Sequence, residues 1–300
     1  MRTGIDTYLA VDIGGSFIKY GFVSEHEDIV QEGKIKTPET IHELKKEVGH
    51  LAEQPTSLKA VAVSLPGAVT VTGFIEGSSA LPYVHGPNIK ELFEEATRLP
   101  VYMENDANCA AYAEVWKGAA TQVRDMLAVV IGTGIGGAIV KNGALHRGAH
   151  LHGGEFGYML LNSAASGEEE TWSSLASKQA LVQRFAKAKQ HPVEKYAGEE
   201  VFHLADKKDP DALKAVDEFY HYLAVGIYNL QYMYDPALIT ISGGISARED
   251  LIEHINEKID VLLKRLAIAT VKPVLAASRF RQHSNLLGAV YHAIREQGEH

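Results

Sequence analysis

Two stretches of the chain share one pattern, in which an apolar strand is followed by a glycine-rich turn and a returning apolar strand. They cover residues 8–23 and 126–145. Each pattern predicts a β-hairpin. Apolar positions at helical spacing lie between further strands, so the chain is expected to be α/β with mixed sheets. A chain of 300 residues exceeds what one hydrophobic core usually supports, which favours two lobes. The repeated hairpin indicates that the lobes are duplicated.

The first glycine turn has the chemistry of a phosphate site. Gly14 and Gly15 let backbone N–H groups approach a ligand closely, Ser16 adds a hydroxyl and Lys19 a cation. Asp12, at the end of the strand before the turn, could hold magnesium through water. The segment lacks the spacing of a P-loop, and a plain hairpin turn remains the alternative.

The second glycine turn allows a different interpretation. Gly132, Gly134 and Gly137 match the spacing of the dinucleotide fingerprint, which is typical of nicotinamide and flavin enzymes. That fingerprint requires a helix immediately afterwards. Residues 138–145 instead read as two strands around an Asn-Gly turn, so the local context disfavours a dinucleotide site.

A pair of polar residues separates a strand from a helix in the middle of the first half. Residues 101–103 have strand character, and the Ala-rich residues 107–116 have the composition of a helix. Asn105 and Asp106 therefore fall at a helix N-terminus, where a carboxylate stays ionised and can accept the proton of a substrate hydroxyl. The alternative is that Asp106 is only a helix cap.

Composition excludes several classes of protein. No apolar run approaches the length of a membrane span, and the polar N-terminus predicts no secretory signal. A single cysteine, Cys109, excludes a disulfide framework and any zinc site built from several thiolates, which favours the cytoplasm. The net charge of −9 argues against nucleic acid as the main partner.

Other glycines and a group of histidines are further candidates. Gly67 follows a buried strand and could line a pocket, and Gly243 with Gly244 could pass beneath a flat base. The histidines could bind a transition metal or could simply be exposed in a loop. They are His146, His150 and His152.

In their order and spacing, these motifs resemble the ROK family of sugar kinases. The similarity covers residues 12–16 with Lys19, 104–107, 131–137, 154–158 and 243–245. The resemblance implies a two-lobed, ribonuclease-H-like or actin-like ATPase fold with a cleft between the lobes. It implies a small lobe over residues 1–115, joined by the C-terminal helix 285–300, and a larger lobe over residues 116–284.

The resemblance also implies ATP with magnesium, and Asp106 as the catalytic base. It implies that the sugar contacts Gly67, Asn105, Asp106, Glu155, Tyr158 and Ser173. The nucleotide and its metal would be held by Asp12, Gly14, Gly15, Ser16, Lys19, Gly132, Thr133, Gly134, Gly243 and Gly244.

Departures from the family pattern bear on the substrate. Tyr158 stands where many members have histidine, Ser173 replaces a sugar-binding glutamate, and Ala80 replaces an asparagine. The zinc-loop region, residues 162–173, has no cysteine, so structural zinc is not expected. Fewer polar groups around the sugar leave room for a bulkier substrate than glucose.

Residues 228–230 and 286–292 add a resemblance to the zinc-lacking branch of the family, the bacterial β-glucoside kinases. This implies phosphorylation of the 6-hydroxyl of cellobiose, gentiobiose or a similar glycoside, and a homodimer.

N-acylmannosamine kinase and glucokinase are the alternatives within the family, and polyphosphate as the donor stays open. A sugar-sensing transcription regulator is the alternative from another class, but the first motif begins at Asp12 and leaves no space for a preceding DNA-binding module.

Overall fold

The computed structural model describes residues 6–54, 57–163, 169–266 and 268–298. The chain divides into two compact units, each with its own five-stranded sheet and hydrophobic core. The first unit comprises Met1–Gln122, Leu145–Gly153 and Gln282–His300, and the second comprises Val123–Ala144 and Gly154–Arg281.

The elements below are those of the described residues. The strands are β1 (Thr7–Ile13), β2 (Phe17–Ser24), β3 (Ile29–Lys36), β4 (Ala60–Leu65), β5 (Ala68–Val69), β6 (Ile75–Glu76), β7 (Val101–Asn105), β8 (Met126–Ile131), β9 (Ile135–Lys141), β10 (Ala144–Leu145), β11 (Leu160–Ser163), β12 (Glu169–Thr171), β13 (Leu238–Ser242) and β14 (Leu275–Ala277). The helices are α1 (Ile41–Ala52), α2 (Ile89–Thr97), α3 (Asp106–Lys117), α4 (Trp172–Ala176), α5 (Lys178–Lys189), α6 (Gly198–Asp206), α7 (Pro210–Tyr234), α8 (Leu251–Arg265) and α9 (Ser284–Gly298).

The sheet of the first unit has the strand order β3-β2-β1-β4-β7. Strands β1, β2 and β3 are antiparallel neighbours, whereas β4 and β7 run parallel to β1. Parallel strands end at the same edge of a sheet, and here Asp12 pairs with Ser64 and Ser64 with Glu104. The carboxyl ends of three buried strands therefore bring Asp12 close to Asn105 and Asp106.

The sheet of the second unit repeats this topology, with the order β10-β9-β8-β13-β14. The hairpin of β8 and β9 is antiparallel, and β13 lies parallel to both β8 and β14. The duplication predicted from the two glycine hairpins thus extends to whole sheets. The turn after β9 also matches the prediction, because Asn142 and Gly143 both have positive φ, as a tight hairpin requires.

Helix packing completes each core. In the first unit α9 crosses α3, and Gly288 of α9 faces the backbone of Cys109. In the second unit, Asp209 caps the long helix α7 by accepting bonds from two backbone N–H groups. Trp172 packs on Gly226 of α7, and its indole N–H donates to the Tyr222 carbonyl over 2.9 Å.

Candidate active site

Asn105 is the N-cap residue of α3, and Asp106 is the first residue inside the helix. The Asn105 side-chain oxygen accepts from the backbone N–H of Ala107 over 2.9 Å and from that of Asn108 over 3.2 Å. Asp106 is the first residue of the helix and is half-buried. Asn105 is therefore the N-cap, and the interpretation of Asp106 as only a helix cap is wrong, although Asp106 Oδ1 also accepts from the Ala107 N–H over 2.8 Å. The carboxylate lies at the carboxyl end of β7 and at the helix N-terminus, an electrostatic setting that favours the charged form.

Asn105 also joins the helix start to Gly67. Its side-chain nitrogen donates to the Gly67 carbonyl over 3.1 Å. Gly67 has φ of +106°, and a Cβ there would lie 2.6 Å from Ile75 Cγ2, so a larger residue would disturb the turn. The structure thus brings together Gly67, Asn105 and Asp106, three residues that the sequence assigns to sugar binding.

Asp12 is held by two residues that the sequence analysis missed. Its Oδ1 accepts from Ser64 Oγ over 2.9 Å and from Asn285 Nδ2 over 3.0 Å. Both of these bonds end on Oδ1, so they leave Oδ2 for a water or a metal-bound water. No local pattern could reveal these partners, because they come from β4 and α9.

The first glycine turn is stabilised from outside the hairpin. Gly14 N–H donates to the Phe17 carbonyl over 3.1 Å, and the Gly14 carbonyl accepts from Thr37 Oγ1 over 2.6 Å. Gly15 and Ser16 are exposed, as a phosphate-binding turn requires. A Cβ at Gly15 would lie 3.0 Å from that of Ala80, so larger side chains at these two positions would compete for space.

Lys19 contacts a backbone carbonyl in this structure. Its Nζ donates to the Gln282 carbonyl over 3.4 Å, a long and weak bond. In the β1–β2 hairpin, Lys19 pairs directly with Asp12. The cation therefore lies on the strand position opposite the candidate metal-binding carboxylate, and a phosphate role for Lys19 stays a prediction.

The second unit carries the other glycine turn. The Gly132 N–H donates to the Gly134 carbonyl over 2.9 Å, and the Gly132 carbonyl accepts from Lys178 N–H over 3.0 Å, where α5 begins. Thr133 and Gly134 are exposed. Ser173 Oγ accepts from Ile135 N–H over 2.9 Å, so this predicted sugar contact also fixes the backbone where β9 begins.

A cavity of about 230 Å³ opens beside this turn. Gly132 and Gly244, two of the residues that the sequence analysis assigned to the nucleotide, contribute to its wall, and the remainder of the wall is largely apolar. Gly243 has φ of +95°, and a Cβ there would lie 2.1 Å from the Ile131 carbonyl oxygen. The wall also includes Ile245 of the same turn, and residues that the sequence analysis missed, namely Lys178, Leu181, Gly198, Glu199, Phe202, Phe219, Ala247 and Arg248.

Glu155 and Tyr158 belong to one short turn of the second unit. Phe156–Tyr158 form a single turn of 3₁₀ helix, and Glu155 and Tyr158 on either side of its buried residues are exposed. Tyr158 exposes 73% of its surface. A Cβ at Gly157 would lie 2.1 Å from the Ile135 carbonyl oxygen, so close backbone packing fixes the turn while these two polar side chains face solvent.

The histidines do not form a metal site among the residues that the structure describes. His146, His150 and His152 are exposed, and His152 Nδ1 lies 2.6 Å from the His150 carbonyl oxygen. Throughout the described ranges, no three His, Cys, Asp or Glu side chains converge on a point where a metal could bind. Of the zinc-loop region, residues 164–168 lie outside the described residues.

Two further observations concern the rest of the described chain. Cys109 is fully buried, and this burial, together with Glu104 and other nearby carboxylates, raises the pKa of its thiol well above the usual value, so the residue acts as a core side chain.

Among the described helices, none is both long enough and apolar enough to cross a bilayer.

Comparison with known proteins places this site in a family. The model of the ROK family matches residues 8–296. A β-glucoside kinase from Listeria innocua is 35% identical over 298 residues, which cover 97% of this chain and 98% of that protein.

Two solved structures are similar over nearly their whole length. A ROK family protein from Streptococcus pneumoniae, in complex with sucrose, has a TM-score of 0.91 and 34% identity, covering 98% of this chain and 100% of that one. A ROK family glucokinase from Streptomyces griseus, in complex with glucose and AMPPNP, has a TM-score of 0.79 and 25% identity, covering 94% of this chain and 97% of that one.

The two repeated sheets are those of the actin-like ATPase fold, which confirms the predicted fold class. The chain belongs to the ROK family. It is a carbohydrate kinase, and the family resemblance drawn from the sequence motifs is confirmed.

Proposed function

We propose that this enzyme transfers the γ-phosphoryl group of ATP to the 6-hydroxyl of a β-glucoside such as cellobiose or gentiobiose, with Asp106 as the general base. The position of Asp106 carries the proposal, because its half-buried carboxylate lies at the carboxyl end of β7, in the first turn of α3 and directly after the Asn105 cap. Asp106 would accept the proton of the 6-hydroxyl as that oxygen attacks phosphorus.

The first unit offers groups that suit the acceptor sugar and the metal. Asn105 and Gly67 would position the sugar beside Asp106. The donor set around Asp12 fits magnesium, which binds through one or two carboxylates and keeps several waters. When bound, the ion would neutralise charge on the transferring phosphates. Gly15 and Ser16 are both exposed residues, and their backbone N–H groups would donate to phosphate oxygens.

The second unit offers groups that suit the nucleotide. Gly132, Thr133 and Gly134 would contact phosphates through backbone N–H groups and a hydroxyl. The apolar cavity beside Gly244 would hold the base, since flat rings bind in cavities with apolar walls and a few polar groups. The nucleotide analogue AMPPNP bound to the related glucokinase supports ATP as the donor.

Tyr158 is the residue that we assign to recognition of the glycoside. The relatives named β-glucoside kinases support this substrate class, and the sucrose bound to the Streptococcus protein shows that a related chain accommodates a disaccharide. On this chain an exposed tyrosine lies one 3₁₀ turn from Glu155. An aromatic ring with a polar tip can pack on a second sugar ring and donate a hydrogen bond.

We further expect the enzyme to be a cytoplasmic homodimer.

Steady-state kinetics on cellobiose, glucose and N-acetylmannosamine, each with ATP and magnesium, test the substrate. We expect the highest kcat/KM for cellobiose, because a second sugar ring adds contacts that glucose cannot make. Glucokinase is the alternative that the Streptomyces structure favours. Equal kcat/KM on all three sugars, or a clear preference for glucose, would rule out the β-glucoside assignment.

Replacing Tyr158 with alanine should separate cellobiose from glucose. We expect KM for cellobiose to rise roughly tenfold and KM for glucose to stay constant, since stacking contacts of this kind contribute about 0.5–1.5 kcal/mol. Tyr232→Ala is the control, because Tyr232 is also an exposed tyrosine of the second unit and has no assigned role in the site. An equal change for both sugars would show that Tyr158 does not recognise the glycoside.

Replacing Gly244 with leucine should weaken ATP binding selectively. No heavy atom lies within 4 Å of a Cβ built at Gly244, and the residue lines the cavity, so leucine can fold there and occupy it. We expect KM for ATP to rise at least about tenfold, as the lost apolar contact with the base is of order 1.4 kcal/mol or more. KM for the sugar provides the internal control. An unchanged KM for ATP would place the base elsewhere.

A further inference from the structure

Glu104 is a buried carboxylate directly before the candidate catalytic pair. Its side chain exposes 2% of its surface. The oxygen Oε1 accepts from the Asn105 backbone N–H over 2.8 Å and from Asn108 Nδ2 over 2.9 Å. These two donors lie on either side of Asp106, one at the strand end and one in the first turn of α3. Glu104 therefore fixes the backbone that carries Asp106 from both sides.

Arg147 occupies the other oxygen of Glu104. Its Nε and Nη2 both donate to Oε2, over 2.8 and 2.5 Å, so two charge-assisted bonds converge on one carboxylate oxygen and hold it in place. Arg147 lies in the segment Leu145–Gly153, which belongs to the first unit. Gly153 N–H donates to the Arg147 carbonyl over 2.9 Å, so the segment closes on itself around the arginine.

Packing alone does not hold the Glu104 carboxylate. A small cavity of about 60 Å³ lies beside it, with Tyr102, Arg147, His292 and Glu296 in its wall. The buried Nδ1 of His292 has no hydrogen-bond partner among the described residues. A side chain beside empty space can change rotamer unless directional bonds prevent it. Arg147 supplies two such bonds.

We propose that Arg147 is a positioning residue for phosphoryl transfer, which acts through Glu104 to hold Asp106 in line with the sugar hydroxyl. This inference rests on the proposed role of Asp106 as the base. A purely structural role is the competing explanation, since removal of one partner from a buried ion pair destabilises the fold by itself. The two explanations differ in what happens when the stability is restored without the arginine.

Three variants separate positioning from stability, namely Arg147→Met, Arg147→Lys and the double variant Glu104→Gln with Arg147→Met. Kinetics are measured well below the melting temperature of each. We expect Arg147→Met to lower kcat about 100-fold with little change in either KM, because displacement of a reacting group by about 1 Å can have such an effect. Lysine retains the positive charge but lacks the planar guanidinium group that donates two bonds. Arg147→Lys should therefore have a higher kcat than Arg147→Met, although a lower one than the wild type.

The double variant is the decisive one. It leaves no uncompensated charge, so the melting temperature should return toward the wild-type value. We expect kcat to stay low, because the two bonds from Arg147 to Oε2 are lost and only the Asn105 and Asn108 donors still hold the side chain at position 104. Arg184→Met is the matched control, since Arg184 pairs with Glu218 over 2.8 Å in the second unit and has no assigned role in the site. Arg184→Met should lower the melting temperature and leave kcat unchanged.

Several results would overturn the inference. Among these are a normal kcat in folded Arg147→Met, or a kcat that recovers with the melting temperature in the double variant. If Arg147→Met fails to fold, Arg147→Lys and the double variant still decide the question. Asp106→Asn is assayed in parallel. Full activity in that variant would refute the base itself, whereas an inactive Asp106→Asn beside a fully active Arg147→Met would refute only the role of Arg147.

Discussion

Asp106→Asn should lower kcat by about 10²–10⁴-fold, the usual contribution of a positioned general base. Asparagine has nearly the same shape as aspartate but cannot accept the proton of the sugar hydroxyl. The fold should be unaffected, because Asn105 provides the helix cap and makes the bond to Gly67. The measurement is a coupled assay of ADP release at saturating ATP and sugar, together with the melting temperature of each protein.

Asp260→Asn is the control for loss of an aspartate carboxylate. Asp260 lies on α8 and pairs with Lys272 over 2.5 Å in a half-exposed ion pair, which contributes about 0–1 kcal/mol to stability. That variant should retain both kcat and melting temperature. Wild-type turnover in Asp106→Asn would contradict the proposed chemistry. A large loss of stability in Asp106→Asn would mean that the carboxylate supports the fold instead.

Gly288→Ala should be among the most destabilising single substitutions in the first unit. A Cβ at this position of α9 would lie 1.7 Å from the Cys109 carbonyl oxygen and 2.4 Å from its carbonyl carbon. The clash is with backbone, so no side chain can move aside, and α3 must shift. Overpacking of this kind costs about 1–3 kcal/mol and sometimes more. We expect the melting temperature to fall by roughly 2–12 °C, at about 2–4 °C per kcal/mol for a body of this size.

The same helix provides the control. Gly298 lies at the end of α9, and a Cβ there would meet no heavy atom within 4 Å, so Gly298→Ala should be neutral or stabilise by up to about 1 kcal/mol. Because α3 begins at Asp106, a shift of α3 would also displace the candidate base. We therefore expect Gly288→Ala to lower kcat even when it is measured below the melting temperature of the variant. Similar melting temperatures for the two alanine variants would show that the helices do not pack as closely as described.

The sequence predicted the elements whose signal is local. An apolar run, a glycine turn and a second run identify β1 with β2 and β8 with β9, and the change from strand to helix locates Asp106. Strand β3 was missed because it is a polar edge strand: Val30 exposes 73% of its surface, and lysine or glutamate occupies many other positions. Helices α5 and α6 were also missed, since their buried faces depend on α7.

The partners of the site residues could not be predicted, for a physical reason. Asn285 lies 273 positions from Asp12 in sequence, and Arg147 lies 43 positions from Glu104. Only the folded sheet and helix α9 bring them together. Motifs identify residues that must approach a ligand with their backbone or with a terminal carboxylate. They do not identify the residues that orient those groups.

The position of the transferred phosphate tests the account most directly. The enzyme is incubated with ATP, magnesium and cellobiose, and the product is analysed by two-dimensional ¹H–³¹P NMR. We predict a single phosphate on C6 of the non-reducing glucose, and no such product with Asp106→Asn. Transfer to another hydroxyl, or no transfer to cellobiose while glucose is phosphorylated, would contradict the account.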